Sequence, residues 1–362
     1  MPNNCRTAAL LTSLLLAACQ GGERPGANPA RDTTAAPARA SAGPRLLAYV
    51  TNEASEELSI VDVALDSVVA TIPVGTRPRG VRVSADGKTV FVALSGSPRC
   101  PPTMPDAECE KLKADKSKDG VAQVDAATRK VVRVLPGGSD PENFDISRDG
   151  RTLFVSNEDA GTASVVDIAS GQVRSTVKVG QEPEGVRLQP DGAVVWITGE
   201  TAHNVTLIDV KTGKAVARIE VGKRPRAVDF TPDGRKAYVS SEVGGTVHVV
   251  DVPSRKVLKV ITMPEGSKPM DVVMAPDGKR VYISNGRGGT VSAIDVATDS
   301  ISASVAVGQR PWGIALTPDG KKLYTANGPS SDVSVVDTDR FQVIKKLPVG
   351  KLPWGVAIAQ AP

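Results

Sequence analysis

The sequence predicts an all-β fold, a seven-bladed β-propeller of four-stranded antiparallel blades, on three observations. A short β-branched segment ending in Asp recurs at Asp62, Asp125, Asp167, Asp209, Asp251, Asp295 and Asp337, about 42 residues apart after one longer first interval. An aromatic keeps step with it: Tyr49, Phe91, Phe154, Trp196, Tyr238, Tyr282 and Tyr324. Between the first two apolar runs of a unit lies a tight turn such as Thr231-Pro232-Asp233-Gly234 or Thr317-Pro318-Asp319-Gly320, where Pro, Asp and Gly supply a sharp reversal. Near-alternating Val, Ile, Ala, Leu and Thr runs between such turns read as strands, and no stretch holds a helical period.

In chain order, residues 1–18 carry Arg6, an apolar run from Ala8 to Ala18 and no acid, the pattern of a secretory signal. Leu16-Ala17-Ala18-Cys19 resembles the lipobox of bacterial lipoproteins, which makes Cys19 the expected site of lipidation. Gln20 in place of Asp then favours the outer membrane, with the domain facing the periplasm. Residues 19–44, rich in Gly, Ala, Pro, Arg and Thr, read as a lipidated Cys and a disordered tether. Residues 45–362 form the propeller. Full units run 76–138, 139–180, 181–222, 223–266, 267–308 and 309–350; the piece 45–75 holds three strands and 351–362 one, so both ends combine into the seventh blade and seal the ring. The unit 76–138 is longer than the others through an insertion at 95–119, expected to form a lid or docking arm. Its Cys100 and Cys109 are expected to form a disulfide in an oxidising compartment.

Tyr49-Val50-Thr51-Asn52, with variants Phe154-Val155-Ser156-Asn157 and Tyr282-Ile283-Ser284-Asn285, resembles the signature of the YVTN-repeat β-propeller family. The stretches Arg224-Pro225-Arg226 through Ser241-Glu242-Val243-Gly244-Gly245-Thr246 and Leu323-Tyr324-Thr325-Ala326-Asn327-Gly328 are most similar to the secreted propellers associated with PQQ-dependent alcohol catabolism. The resemblance spans residues 45–362. It implies a propeller that binds or scaffolds, with a quinoprotein dehydrogenase as a partner to consider, and brings no agreed catalytic residue.

Features present in every blade are architecture, and features confined to a few blades are candidates for function. The seven Asp residues and seven aromatics fall in the first class, as turn-pinning acceptors and interblade packing. Strand parity puts the Pro-Asp-Gly and Asp turns on one face and leaves the other variable. On that variable mouth, each inner strand opens with a Pro flanked by two side chains: Arg77/Arg79, Asp140/Glu142, Glu182/Glu184, Arg224/Arg226, Lys268/Met270, Arg310/Trp312 and Leu352/Trp354. Two acidic blades lie between two Arg-paired blades, and the remaining sector is apolar and holds two of the three Trp residues. Charged rims beside aromatic anchors are a pattern of binding surfaces.

With 44 Lys+Arg against 40 Asp+Glu, the net charge of +4 and the mouth carboxylates argue against nucleic acid as a partner. Two His residues leave little for a His-rich metal site or haem, and no metal site is expected. No cofactor is expected either. Asp209-Val210-Lys211-Thr212-Gly213-Lys214 is similar to quinoprotein propeller repeats but lacks their completing Trp. The expectation is thus a monomeric, non-catalytic envelope lipoprotein that touches the membrane through its lipid alone. It would bind a protein or small molecule at the mouth. The alternative is a lactonase-like hydrolase, with His203, Glu184 and Glu142 as acid–base candidates and Arg79 and Arg226 as oxyanion partners. A nucleic-acid-binding or adhesive propeller is a more distant reading.

Overall fold

A computed structural model of the protein describes residues 45–99, 104, 106–109 and 111–362. The expected signal, tether and Cys19 lie outside these residues, as does Cys100, on which the expected disulfide depends.

Among the described residues the strands form seven separate four-stranded antiparallel sheets. Blade 1 takes its innermost strand, Pro353–Gln360, from the C-terminal piece and its outer three, Leu46–Asn52, Glu57–Asp62 and Ser67–Pro73, from the N-terminal piece. Blades 2 to 7 follow in chain order, their innermost strands being Val81–Val83, Pro141–Ile146, Pro183–Leu188, Pro225–Phe230, Pro269–Met274 and Pro311–Leu316. Each inner strand packs beside the next, and Pro353–Gln360 meets both blade 7 and blade 2, which closes the ring. The predicted fold and its shared closing blade are what the chain adopts.

Third strands are buried on both faces because adjacent blades cover them, whereas fourth strands such as Lys256–Thr262, at the outer rim, are mostly exposed and alternate only weakly. All seven repeating aromatics are buried between blades; Trp196 of blade 4, for example, meets Phe230 of blade 5 edge-on at 5.2 Å. All seven repeating Asp residues accept backbone N–H groups two or three residues ahead, as at Asp209 from Thr212 (2.7 Å) and Asp295 from Thr298 (2.9 Å). They pin the third-to-fourth strand reversal, as expected of an architectural residue.

Two interblade latches share one design. Lys322 Nζ and the Tyr324 hydroxyl of blade 7 both donate to Asp66 of blade 1, at 2.6 and 2.5 Å. Lys236 and Tyr238 of blade 5 do the same to Asp299 of blade 6. Asp66→Ala leaves the Tyr324 hydroxyl without its acceptor across the closing seam, and is expected to cost about 1–3 kcal/mol. The check is a lowered urea midpoint with an unchanged slope. A wild-type midpoint would mean that the seam does not depend on this latch.

Candidate functional site

A Pro opens the inner segment of each blade, as the first strand residue in six and three residues ahead of the strand, at Pro78, in blade 2; the residue before each has a positive φ: Arg77, Asp140, Glu182, Arg224, Lys268, Arg310 and Leu352, between 45° and 57°. In six blades its carbonyl accepts the N–H of the residue after the blade's second strand, as in Leu352 to Glu53 (2.9 Å), Asp140 to Glu158 (3.0 Å) and Arg224 to Glu242 (2.8 Å); in blade 2 the Thr76 carbonyl takes that role for Ser95 (3.1 Å). A β-bulge follows the Pro in most blades, where the register shifts between Pro183 and Val186, for example. The flanking pairs therefore divide. The residue after Pro sits at the channel opening, and the residue before it serves the backbone turn and stands farther out.

Sequence reasoning missed the third contributor, the residue that follows each second strand: Glu53, Glu158, Glu200 and Glu242 in four blades. The signal was present, since these follow directly on Tyr-Val-Thr-Asn and its variants. With them the charged sector resolves into two clusters of matching composition. In one, Arg77 (3.0 Å) and Arg79 (3.1 Å) both reach Glu53, and Arg79 also pairs with Glu142 and, at 3.6 Å, Glu158. In the other, Arg224 meets Glu200 (2.5 Å) and Glu242 (3.4 Å), while Arg226 meets Glu184 (2.6 Å), Glu200 and Glu242 (3.7 Å). By direct ion pairs each cluster sets three carboxylates against two guanidinium groups, a surplus of negative charge to which Asp140 adds a further carboxylate beside the first cluster.

In each cluster one carboxyl is pushed toward its neutral form. Burial pushes Glu158 up, against the pull of Arg79. Burial pushes Glu184 up to about 7, with Arg226 opposing and the charge of Glu158 adding to the rise. These groups are no solvated rim: Glu142 is 3% and Glu184 8% exposed. Glu184 and Arg226 line a cup of about 40 Å³ whose other walls include Met270, Trp312 and Trp354, room for about one or two water molecules. Arg310 stacks over Trp312, 5.4 Å from the ring centroid. Lys268 stands outside the cup, near the Val243 carbonyl at 3.5 Å. Glu182 accepts from the Thr201 hydroxyl at the outer edge.

His203 is not brought to Glu184 or Glu142. It sits exposed in a turn with φ 54°, and its Nδ1 lies 2.8 Å from the Glu200 carbonyl and 3.4 Å from the Arg224 nitrogen, so the ring fastens the loop. His248 is buried where four other blades carry Ser (Ser59, Ser164, Ser292 and Ser334), and burial pushes it down. Asp140, Glu142 and Glu158 can each bring an oxygen within 4.8 Å of the others, a grouping of metal-ligand residue types. Arg79 already supplies positive charge to Glu142 and Glu158, and the Ser95 hydroxyl donates to Asp140, so the trio is built as an ion-pair cluster. The described part of the insertion is tied down at this mouth. Asp119 accepts from the Gly96 (2.7 Å) and Asp140 (3.0 Å) nitrogens, and Lys116 reaches the Ser97 hydroxyl (2.6 Å) and Asp159.

Residues 185–343 match the sequence model of the seven-bladed lactonase β-propellers, and residues 107–190 that of YNCE-like β-propellers. No curated protein matches the chain. Among solved structures, hydrazine synthase of Kuenenia stuttgartiensis superimposes with a TM-score of 0.67 at 23% identity, over 78% of this chain and 95% of that one. Two proteins provisionally described as 6-phosphogluconolactonases are similar too. That of Bacteroides fragilis has a TM-score of 0.71 at 18% identity, over 88% of this chain and 99% of that one. That of Bacteroides uniformis has 0.70 at 17%, over 87% and 99%. At such identities the structures speak for the fold. The lactonase match, with these two neighbours beside it, corrects the expectation of a non-catalytic, non-enzymatic scaffold and favours the lactonase-like alternative.

Proposed function

We propose that the protein is a lactone hydrolase working at the propeller mouth. The observation that carries this reading is Glu184: a carboxyl inside the charged cluster, beside Arg226 and a water-sized cup, pushed up to about 7. A general base is most useful when its pKa lies near the working pH. Glu184 takes a proton from water as its oxygen attacks the lactone carbonyl carbon. The carbonyl oxygen gains negative charge, which Arg226 and Arg79 offset. Collapse of that intermediate breaks the ring C–O bond, and the leaving oxygen recovers the proton from Glu184, so lactone plus water becomes one hydroxy acid. Glu158, whose charge is felt at Glu184, is the second raised carboxyl of the mouth and helps hold the proton there. Trp312, Trp354 and Met270 give the organic part of the substrate an apolar wall. Glu142 and His203 act at a distance in this scheme, the first by holding Arg79 and the second by fixing the Glu200 loop.

The test is a panel of five- and six-membered lactones followed by proton release, with wild type and Glu184→Gln side by side. Turnover of no lactone by well-folded wild type would overturn the reading. Export as a lipoprotein through Cys19 stands as a separate proposal, supported by the residues around it and tested by labelled-lipid incorporation into wild type and Cys19→Ser. Capture from native envelopes tests the quinoprotein partner that the YVTN resemblance suggests.

A further inference from the structure

Below the cup, the channel widens into a cavity of about 500 Å³ toward the Pro-Asp-Gly face, and the two spaces share Asn143, Ala227, Asp271, Gly313 and Trp354 as a waist. A second charged layer lies there, four residues after each blade's opening Pro: Arg82, Asp145, Arg187 and Asp229 in blades 2 to 5, then Val273, Ala315 and Ala357 in blades 6, 7 and 1. Asp271 of blade 6 joins it from two residues earlier. The carboxylates are spoken for. Asp145 accepts from the Ile146 (2.9 Å) and Leu188 (2.8 Å) nitrogens. Asp271 accepts from those of Val272 (2.8 Å) and Ile314 (2.9 Å). Asp229 accepts from Phe230 (2.9 Å), Met274 (2.8 Å) and Arg187 Nε (2.9 Å). Each therefore stitches its own inner strand to a neighbouring blade.

Arg82 is different. Among the described residues its guanidinium donates one hydrogen bond, from Nη1 to the Val81 carbonyl (3.0 Å), and its nearest carboxylate, Asp145, is 3.7 Å away. Its Nε is buried with no hydrogen-bond partner, the Asp145 Oδ1 it faces at 3.7 Å being beyond hydrogen-bond reach. A buried donor without an acceptor is costly, and a guanidinium offers five donors in a fork that fits planar or tetrahedral oxyanions. The two alanines of blades 7 and 1 keep the cavity open beside it.

We propose that this lower chamber is an anion site, in which Arg82, with Arg187 beside it, holds one compact oxyanion, a carboxylate or a phosphate, entering from the face opposite the mouth. The site does not depend on the hydrolase reading, since no mouth residue takes part. The experiment is calorimetric titration of the protein with inorganic phosphate and with malonate at constant ionic strength, chloride making up the balance. Saturable binding of one anion per chain is expected, at least tenfold weaker in Arg82→Met. The tighter of the two probes tells whether the natural guest is a phosphate or a carboxylate. Ala315→Glu leaves Arg82 intact and puts a negative charge in the open side of the chamber, so it should also abolish binding and decides the matter if Arg82→Met fails to fold. Absence of saturable binding to either probe, or binding by these variants equal to wild type, overturns the proposal.

Discussion

Glu184→Gln should abolish most lactone turnover while leaving a folded, slightly sturdier protein. Loss of the base is expected to cost about 10²–10⁴-fold in kcat. Gln keeps the shape and can still meet Arg226, so substrate affinity should change far less than kcat. The pH behaviour makes the test specific. Because the folded-state value, about 7, lies above the ordinary carboxyl value, the folded state holds a proton that the unfolded chain has already lost between roughly pH 4.5 and 7. Stability contributed by this group is therefore greatest at acid pH and falls as pH rises through that window. Activity runs the other way, climbing as the base ionises near pH 7. Gln abolishes both trends: it removes the rising limb of the kcat profile and lifts the thermal midpoint at pH 8 more than at pH 4. Full turnover by the variant, or a midpoint gain equal at both pH values, would remove Glu184 from the mechanism.

A chain ended after Gly350 should fail to reach a cooperative native state. It lacks Pro353–Gln360, whose register partner is Leu46–Asn52 and whose other neighbours are the inner strands of blades 7 and 2. Gly355 shows how close that fit is: a Cβ there would lie 2.7 Å from the Arg79 carbonyl. Its N–H is taken by the Thr51 hydroxyl at 2.9 Å, and Ala361 N donates to the Arg45 carbonyl at 2.7 Å. Without the strand, blade 1 has no inner edge and the apolar faces of two blades open to water, a loss comparable with the roughly 5–15 kcal/mol that holds a typical domain. The expected result is a flat urea profile with dye-binding apolar surface, restored toward a sigmoid by a synthetic 351–362 peptide. A sharp transition near the wild-type midpoint would show that six blades and a fragment suffice.

The fold was legible because the repeat is its own alignment: Asp167 and Asp209, or Phe154 and Trp196, announce equivalent positions, and leftover ends of complementary strand count announce closure. The mouth was half legible. Arg79, Glu142, Glu184 and Arg226 were found by their place after the blade-opening Pro. Glu53, Glu158, Glu200 and Glu242 were passed over, although they recur in the same register, because they touch the others only once two blades stand side by side. The raised Glu184 could not be read at all, since it arises from burial and a charge surplus that the overall composition, close to neutral, conceals. The setting of His203 was illegible for a related reason: the direction of a side chain in a mouth loop depends on the loop's backbone, and here Nδ1 lies 2.8 Å from the Glu200 carbonyl. The channel layer of Arg82 and Arg187 follows the repeat register as plainly as the mouth does, but lies inside strands, where an alternation reading assigns side chains to packing.

The channel is charged along blades 2 to 5 and apolar along blades 7 and 1 at two successive depths, with Asp271 of blade 6 the one charged exception on the apolar flank of the lower layer. A flat ester held across it would turn one π-face to Glu184 and Arg226 and the other to Trp312 and Trp354. Water poised by Glu184 then has a single direction of approach, so a mirror-image pair of lactones would present opposite faces to the same wall. Chirality at the substrate would be read by the sidedness of the pore rather than by any one contact.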